Sequence, residues 1–368
     1  MKNIVDYVEE TLEPLAQRPF GPVDSLVLSQ FSYIHLEEFV QGPAGVSTPV
    51  SLKELLRAEC FDSLFYRVRA PQENRRLLFA LAASPRFRDI GAVCAVNDLN
   101  PDLQKQFSAV TFLLGDDTAY LAFRGTDATL VGWKEDFNMA FLSPVPSQEA
   151  AVSYVETVAR RTVGRLRLGG HSKGGNLAVY AAMMCSGAVQ ERIDAVYSHD
   201  GPGFQENILQ SSAFAAIQGR VQKTLPKSSL IGMLLEHQEY YTVVESSRIG
   251  IMQHDPFSWM VSEGEFQNAG HLSGGARYRS RALNDWLAAL DRSQRERFVD
   301  TLFAVLEAGG VESFAEPGSS WQKRMPAMLA AARQIDPETR RYVLQTVRAL
   351  AAISLKELPH KTGRRQQL

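Results

Sequence analysis

The chain has 368 residues, of which 45% are hydrophobic and 22% are charged, and its formal net charge is −2. This composition predicts a globular protein of one large α/β domain with an appended element, or of two domains, and the near-neutral charge gives no general attraction to nucleic acid or anionic lipid. No apolar run approaches the ~20 residues of a membrane span, so we expect a soluble, cytoplasmic protein without a transmembrane segment.

The cysteines are few and far apart along the chain. Their positions, Cys60, Cys94 and Cys185, exclude a disulfide framework and any C-x-x-C metal or redox motif. Because the histidines are equally scattered, no metal site is predicted from spacing, and the expected chemistry needs no cofactor.

The first 88 residues are predicted to be helical and to form a layer or cap over the sheet. Apolar residues recur at helical spacing over 4–12, 26–39 and 75–82. Prolines interrupt these stretches and separate the helices.

A β-hairpin is predicted soon after residue 90. Its arms are the β-prone stretches 109–114 and 118–123, and Gly115-Asp116-Asp117 is the turn between them. The second arm ends in Arg124-Gly125-Thr126-Asp127, so that a glycine and a hydroxyl residue stand at the end of a strand.

The pattern G-x-S-x-G occurs at Gly170-His171-Ser172-Lys173-Gly174. In α/β-hydrolases this pattern forms a sharp turn between a strand and a helix, which raises a serine hydroxyl above the sheet. Here a strand-like stretch, 165–168, precedes it and good helix formers, 177–183, follow it. The two outer glycines stand where a Cβ would collide with the crossing strand and helix. Ser172 is therefore the candidate nucleophile.

The oxyanion hole of such an enzyme needs two donors near the serine. We predict that Thr126 supplies its backbone N–H and hydroxyl and that Lys173 supplies its backbone N–H; the alternative for Thr126 is a plain turn with a helix cap. The Lys173 side chain is expected either to add positive charge near the acyl group or to lie in solvent at the start of the helix. A phosphate-binding P-loop is excluded because Lys173 follows the serine instead of preceding it.

The candidate acid follows the next predicted strand, 193–198. Catalytic groups collect at the carboxyl ends of parallel strands, so Asp200 is the predicted acid, and a carboxylate that caps the following turn is the alternative. His199 is expected to point to the opposite face of the strand.

The base should follow the acid if the order Ser, Asp, His holds, which leaves His237, His254, His271 and His360. Further strands are predicted over 230–235, 240–244 and 249–252. We favour His254, which closes the last of these strands and precedes Asp255-Pro256. His271, in a glycine-rich loop, is the second candidate, and Asp255 is the reserve acid.

From about residue 276 the pattern is helical to the end of the chain. Ser293-Gln294-Arg295-Glu296 predicts a capping box and Asp336-Pro337 predicts a helix start. These helices should form a small bundle that packs on the core or on a partner, and the helical ends are candidates for self-association. A basic tail occupies 360–365. We divide the chain into a helical layer, an α/β-hydrolase core and a helical extension at residues 1–88, 89–290 and 291–368.

Several motifs carry a resemblance to known families. Phe123-Arg124-Gly125-Thr126, Trp133 with Asp136, and the serine motif resemble fungal-type class-three lipases. More closely, the motifs at 132–137, 170–176, 198–204 and 253–257 resemble the Mbeg-like proteins, a bacterial family of lipase-like α/β-hydrolases, over roughly residues 25–305.

This resemblance implies an α/β-hydrolase fold with a mostly parallel central sheet, Ser172 as nucleophile and Thr126 at the oxyanion hole. The chain departs from the lipases at one place. The lipases carry the catalytic acid one strand further along the chain than Asp200, where this chain has Lys227-Ser228-Ser229. We therefore assign the acid to Asp200.

Together these residues predict a serine esterase or lipase-like hydrolase that acts on a small-molecule or lipid ester. Ser172 attacks the acyl carbon, His254 takes and returns the proton, Asp200 orients the imidazole, and Thr126 and Lys173 stabilise the oxyanion. Thioester or amide cleavage would use the same residues and stays open. A non-catalytic protein-binding scaffold with the hydrolase fold is a further alternative.

Overall fold

The computed structural model describes residues 1–43, 48–126, 130–139, 142–229, 231–235, 240–275, 278, 284–286, 289–311 and 318–354. Two of the candidate bases, His237 and His360, and the basic tail at 360–365 lie outside these described residues. Within the described ranges, no helix is both long and apolar enough to cross a lipid bilayer.

Eight strands form one sheet in which their spatial order is their order along the chain. They are β1 (Val50–Ser51), β2 (Gly91–Asn100), β3 (Lys105–Leu113), β4 (Thr118–Phe123), β5 (Arg165–His171), β6 (Ile193–His199), β7 (Val221–Pro226) and β8 (Tyr241–Val244). The pairs from β1 to β4 are antiparallel, and those from β4 to β8 are parallel. The fold is therefore α/β with a mostly parallel central sheet, and the predicted hairpin is confirmed as β3 and β4.

The helices flank this sheet or follow it. They are α1 (Ile4–Glu10), α2 (Pro22–Phe31), α3 (Phe61–Leu64), α4 (Pro71–Ala83), α5 (Leu130–Asn138), α6 (Pro146–Ala159), α7 (Lys173–Met184), α8 (Gly187–Gln190), α9 (Glu206–Leu209), α10 (Ser212–Ile217), α11 (Arg292–Ala308), α12 (Gly318–Ala332) and α13 (Pro337–Ser354). Short 3-10 helices occupy Leu36–Glu38, Leu52–Leu55, Ala58–Cys60, Gln218–Arg220, Ile231–Met233, Gly250–His254 and Pro256–Ser258. A separate two-stranded ribbon consists of β9 (Val261–Ser262) and β10 (Glu265–Phe266).

Helix α2 covers one face of the sheet and packs against β4, β5 and β6. Its buried side chains join those of α1, α4 and the sheet in one apolar core, which includes Tyr120. A buried ion pair between Asp24 in the first turn of α2 and Arg86, at 2.7 Å, ties this helix to the segment after α4. The N-terminal helices are thus packed on the sheet by apolar burial, and one buried ion pair ties two of their segments together.

Helices α6 and α7 cover the other face. Their apolar side chains form a second core with β3 to β6, in which Leu168 and Leu177 are fully buried. Because β5 runs directly into α7, the turn between them lies at the carboxyl end of the parallel strands, and this is the end where α/β sheets place their sites.

The C-terminal helices form a third apolar core, which also takes in Trp133 of α5. Helix α11 packs against α12, α13 and α5. It begins at Arg292, and its capping box is Asp291 with Gln294, whose reciprocal hydrogen bonds are both 2.8 Å long. The capping box predicted at Ser293–Glu296 is therefore wrong. The start of α13 after Asp336 is confirmed, since the Asp336 carboxylate accepts the Thr339 amide at 3.0 Å.

Two strand predictions after residue 229 are wrong. Ile231–Met233 is a 3-10 helix, and Leu230 itself lies outside the described residues. Gly250–His254 is also a 3-10 helix, where Gly250 has a φ of 60° that turns the chain out of the extended conformation. Short apolar runs have too little periodicity to separate a strand from a tight helical turn.

Candidate active site

Ser172 occupies the sharp turn between β5 and α7. Its φ of 58° and ψ of −131° belong to a region that residues with a Cβ rarely adopt, which stores strain at this position. The turn is fixed from both sides, because the Ser172 amide donates to the His199 carbonyl oxygen and the Gly175 amide donates to the Ser172 carbonyl oxygen, each at 2.9 Å.

The glycines around the serine allow the backbones to come close together. A Cβ at Gly170 would lie 2.6 Å from the Phe123 carbonyl oxygen, and one at Gly174 would lie 2.8 Å from the Phe123 carbonyl carbon. A Cβ at Gly125 would lie 2.5 Å from the His171 carbonyl oxygen. The expected steric reason for the two motif glycines is confirmed, and Gly125 brings the loop after β4 against the same turn.

His254 lies between Ser172 and Asp200. Its Nε2 is 3.0 Å from Oγ of Ser172, and its Nδ1 is 2.6 Å from Oδ2 of Asp200. The imidazole sits at the end of the 3-10 helix Gly250–His254 and its side chain is 12% exposed. The structure thus brings together the three side chains that the sequence singled out as nucleophile, base and acid.

Asp200 directly follows β6 with a φ of 51°, and it is completely buried. Its amide donates to the Thr224 carbonyl oxygen of β7 at 2.8 Å. Its Oδ1 accepts from Oγ of Ser229 at 2.5 Å and from the Gly232 amide at 3.1 Å. The place after β7, where the resemblance puts an acid, therefore carries a serine that contacts Asp200.

The two reserve candidates lie elsewhere. His271 is exposed to solvent. The Asp255 carboxylate accepts the Phe257 amide at 3.0 Å and forms an ion pair with Arg248. In the part of the chain that the structure describes, no group of three or more His, Cys, Asp or Glu side chains is arranged to hold a metal ion.

His171 is a site residue that the sequence reasoning missed. Its Nε2 donates to the His254 carbonyl oxygen at 2.8 Å, which leaves Nδ1 to accept from the Tyr33 hydroxyl at 3.2 Å. Burial and the neighbouring His254 hold the pKa of His171 well below its ordinary value, so the ring is neutral. Burial also raises the pKa of the Tyr33 hydroxyl, which therefore remains a donor. His171 stood inside the serine motif, but no local pattern indicated its partner.

His199 is buried on the opposite face of β6, as expected. Its Nε2 lies 2.9 Å from Oγ of Ser25 in α2, and Oγ of Ser25 lies 2.8 Å from the Tyr120 hydroxyl. Burial lowers the pKa of His199 to about 3. This histidine is therefore a neutral member of the core beneath the site.

The predicted oxyanion residues are Thr126, which follows Gly125 in the loop against the serine turn, and Lys173, which directly follows Ser172. Thr126 is 6% exposed, and its hydroxyl donates to the Asp136 carboxylate of α5. Lys173 is the first residue of α7. Its side chain does not lie in solvent, which corrects one of the two expectations for it.

The Lys173 ammonium is fully buried and neutralised. Its Nζ donates to the backbone oxygen and to Oε1 of Gln106, both at 2.8 Å, and to Oε2 of Glu135 at 3.1 Å. Glu135 in turn accepts the Gln106 and Ser147 amides at 2.9 and 2.8 Å. The lysine charge therefore links α7 to β3 and α5, and a buried carboxylate balances it.

Comparison with known proteins identifies a family. A curated relative, the GTPase Der of Syntrophobacter fumaroxidans, is 26% identical over 289 residues, which cover 74% of this chain and 60% of that protein. The chain therefore spans less than two thirds of that relative's length. A family model described as Mbeg1-like matches residues 81–304, more than half of the chain, and this stretch contains Ser172, Asp200 and His254. The chain belongs to the Mbeg1-like family.

Proposed function

We propose that this protein is a serine hydrolase of the α/β-hydrolase fold, lipase-like in its site, that cleaves a carboxylic ester through an acyl-enzyme intermediate on Ser172. One observation carries the proposal, namely that a single imidazole contacts both the serine hydroxyl and a buried carboxylate. His254 Nε2 lies 3.0 Å from Ser172 Oγ, and its Nδ1 lies 2.6 Å from Asp200 Oδ2. Nucleophile, base and orienting acid in this order form the arrangement that activates a serine.

The proton follows the same contacts. With its own proton on Nδ1 and donated to Asp200, His254 has Nε2 free to accept the Ser172 proton as Oγ attacks the acyl carbon. The imidazolium then returns that proton to the leaving alcohol, and the acyl group remains on Oγ. Water attacks the acyl-enzyme by the same steps and releases the acid. Asp200 orients the ring and stabilises the imidazolium charge.

The oxyanion is assigned to backbone donors. The Lys173 amide stands at the start of α7, where the first N–H groups of a helix have no partner within the helix and attract negative charge. The Thr126 amide is the second donor, from the loop that Gly125 brings against the serine turn. The Thr126 hydroxyl donates to the Asp136 carboxylate and is therefore not a free oxyanion donor in the resting site.

Other functions are less well supported. Thioester or amide cleavage would use the same groups and differs only in the leaving atom. A non-catalytic scaffold would not require the strained φ at Ser172 or the buried carboxylate of Asp200 beside the His254 imidazole. GTP hydrolysis is not proposed, because the G-x-x-x-x-G-K-[ST] loop that cradles nucleotide phosphates does not occur in the sequence.

Hydrolysis of p-nitrophenyl esters of increasing acyl length tests the proposal. Ser172→Ala, His254→Ala and Asp200→Asn should each lower kcat by on the order of 10³-fold or more while the melting temperature stays nearly unchanged. His271→Ala, at an exposed histidine, is the matched control and should retain kcat. Matched thioester and anilide substrates distinguish the bond that is cleaved. Turnover that survives Ser172→Ala, or that His271→Ala abolishes, would contradict the proposal.

A further inference from the structure

The second carboxylate oxygen of Asp200 faces donors from the segment after β7. Oδ2 meets His254, whereas Oδ1 lies 2.5 Å from Oγ of Ser229 and 3.1 Å from the Gly232 nitrogen. Asp200 is 0% and Ser229 is 1% exposed. A carboxylate that has lost its water is stabilised by hydrogen-bond donors that replace it, and charge-assisted bonds of this kind are the strong ones.

The turn that carries Ser229 is itself fixed by hydrogen bonds. The Ser229 amide donates to the Pro226 carbonyl oxygen at 2.9 Å, and the Lys227 amide donates to that of Val244 in β8 at 3.1 Å. The Ser228 amide donates to Oε1 of Gln253, the residue before His254, at 2.6 Å. One turn therefore holds a hydroxyl against Asp200 and also binds the side chain of the residue before His254.

Gly232 lets a backbone amide reach the same oxygen. A Cβ at this position would collide with Oδ1 of Asp200 and would lie 3.0 Å from Oγ of Ser229. Hydrogen bonds from the hydroxyl and the amide to Oδ1 restrict rotation of the carboxylate group. Because Oδ1 is held in this way, Oδ2 is directed towards the imidazole.

We propose that Ser229 is a positioning residue for the triad, an inference that rests on the proposed function for its kinetic consequence. Its hydroxyl, together with the Gly232 amide, holds Asp200 in the rotamer in which Oδ2 accepts from Nδ1–H of His254. Without that hydroxyl the carboxylate rotates more freely and the imidazole is less well aligned with Ser172. Misalignment of this kind slows proton transfer and leaves substrate binding unchanged.

Kinetics of Ser229→Ala beside Ser228→Ala test this role. The Ser229→Ala variant should lower kcat about 10- to 100-fold with little change in KM, the pattern of an interaction that acts on the chemical step. Ser228→Ala is the matched control, because its hydroxyl lies 3.3 Å from Oγ of Ser273, and it should retain kcat. Ser229→Cys keeps a side chain of similar size but has only a weak hydrogen-bond donor, so it should show the same decrease in kcat. This variant replaces Ser229→Ala in the experiment if the alanine variant does not fold.

Proton NMR of protein labelled at its histidine nitrogens gives a readout that does not depend on turnover. The Nδ1–H of His254 should give a strongly downfield resonance that is absent from His254→Ala. This resonance should shift or broaden in the Ser229 variants and stay unchanged in Ser228→Ala. Wild-type protein that hydrolyses no ester would contradict the proposed function alone. Folded Ser229 variants that keep both this resonance and any wild-type kcat, or wild-type protein without the resonance, would overturn the role of Ser229.

Discussion

The imidazole of His171 packs against that of His254, with ring centroids 4.5 Å apart, and its Nε2–H donates to the His254 carbonyl oxygen at 2.8 Å. The residue before the nucleophile therefore holds the backbone of the proposed base. His171 is in turn contacted by the Tyr33 hydroxyl at 3.2 Å. These contacts connect the segment just after α2, the serine turn and the 3-10 helix that carries His254.

We predict that His171→Phe, which keeps a ring but loses the donor, lowers kcat for ester hydrolysis by about 10- to 100-fold, because His254 is no longer held at hydrogen-bonding distance from Ser172. Loss of the partner of this half-buried carbonyl should also lower the free energy of unfolding by about 0.5–1.5 kcal/mol. Tyr33→Phe removes only the hydroxyl and should have a smaller effect on kcat. Equal kcat in wild type and His171→Phe would show that this contact has no positioning role.

Because two buried histidines are neutral, the free energy of unfolding should decrease as the pH is lowered. In the folded protein the pKa of His199 is lowered to about 3 and that of His171 is also well below its ordinary value. The unfolded chain binds protons at both residues below about pH 6.5, so the folded state loses up to about 1.4 kcal/mol per histidine for each pH unit below that value.

Urea unfolding between about pH 6 and pH 5 measures this loss, because most carboxylates remain ionised there. The free energy of unfolding should change less steeply with pH in His199→Gln than in the wild type. The difference in slope should approach about 1.4 kcal/mol per pH unit, which corresponds to one bound proton. An identical slope in the variant and the wild type would mean that His199 is protonated in the folded protein.

The buried Lys173–Glu135 pair predicts a large cost for removing one charge. Both side chains are 0% exposed, so Lys173→Met leaves the Glu135 carboxylate buried without its cation and should cost about 3–5 kcal/mol. Lys134→Met is the matched control, since Lys134 pairs at 3.0 Å with Asp300, which is 59% exposed, and such pairs contribute at most about 1 kcal/mol. Equal midpoints for the two variants in urea unfolding would contradict the assignment of a buried ion pair.

The close approach at Gly125 predicts that an added methyl group disrupts the loop after β4 that carries Thr126. In Gly125→Ala the new Cβ collides with the Tyr33 hydroxyl and the His171 carbonyl oxygen, which should cost about 1–3 kcal/mol and lower kcat by displacing Thr126. Gly219→Ala is the control, because a Cβ built there has no neighbour within 4 Å apart from the adjacent chain. Thermal unfolding and ester kinetics on both variants check the prediction, and an active, fully stable Gly125→Ala would refute it.

Local signals made the centre of the fold predictable. The β3–β4 hairpin, the strand β6 and the turn from β5 into α7 were all expected, because each depends on residues close together in sequence, such as the glycines around Ser172. Asp200 was placed by the rule that sites collect at the carboxyl ends of parallel strands. The strand predicted over 249–252 is wrong because a short apolar run that contains a glycine fits a strand and a 3-10 helix equally well.

Partners that are distant in sequence were not predictable. Tyr33 and His171 are 138 residues apart, and Lys173 and Glu135 are 38 apart, so packing of whole elements decides which atoms meet. In the sequence Ser229 is marked only by the lack of an acid there, and its contact with Asp200 depends on the turn after β7. Sequence periodicity reports which face of an element is buried, but it does not report which polar side chain lies opposite.

Covalent labelling with a fluorophosphonate, followed by peptide mass mapping, tests the central claim most directly. The reagent phosphonylates a serine only where a base accepts its proton and donors stabilise the developing oxyanion. We expect wild-type protein to gain one phosphonyl group on Ser172 and Ser172→Ala to gain none. Folded wild-type protein that stays unlabelled, or a phosphonyl group on another residue, would contradict the account.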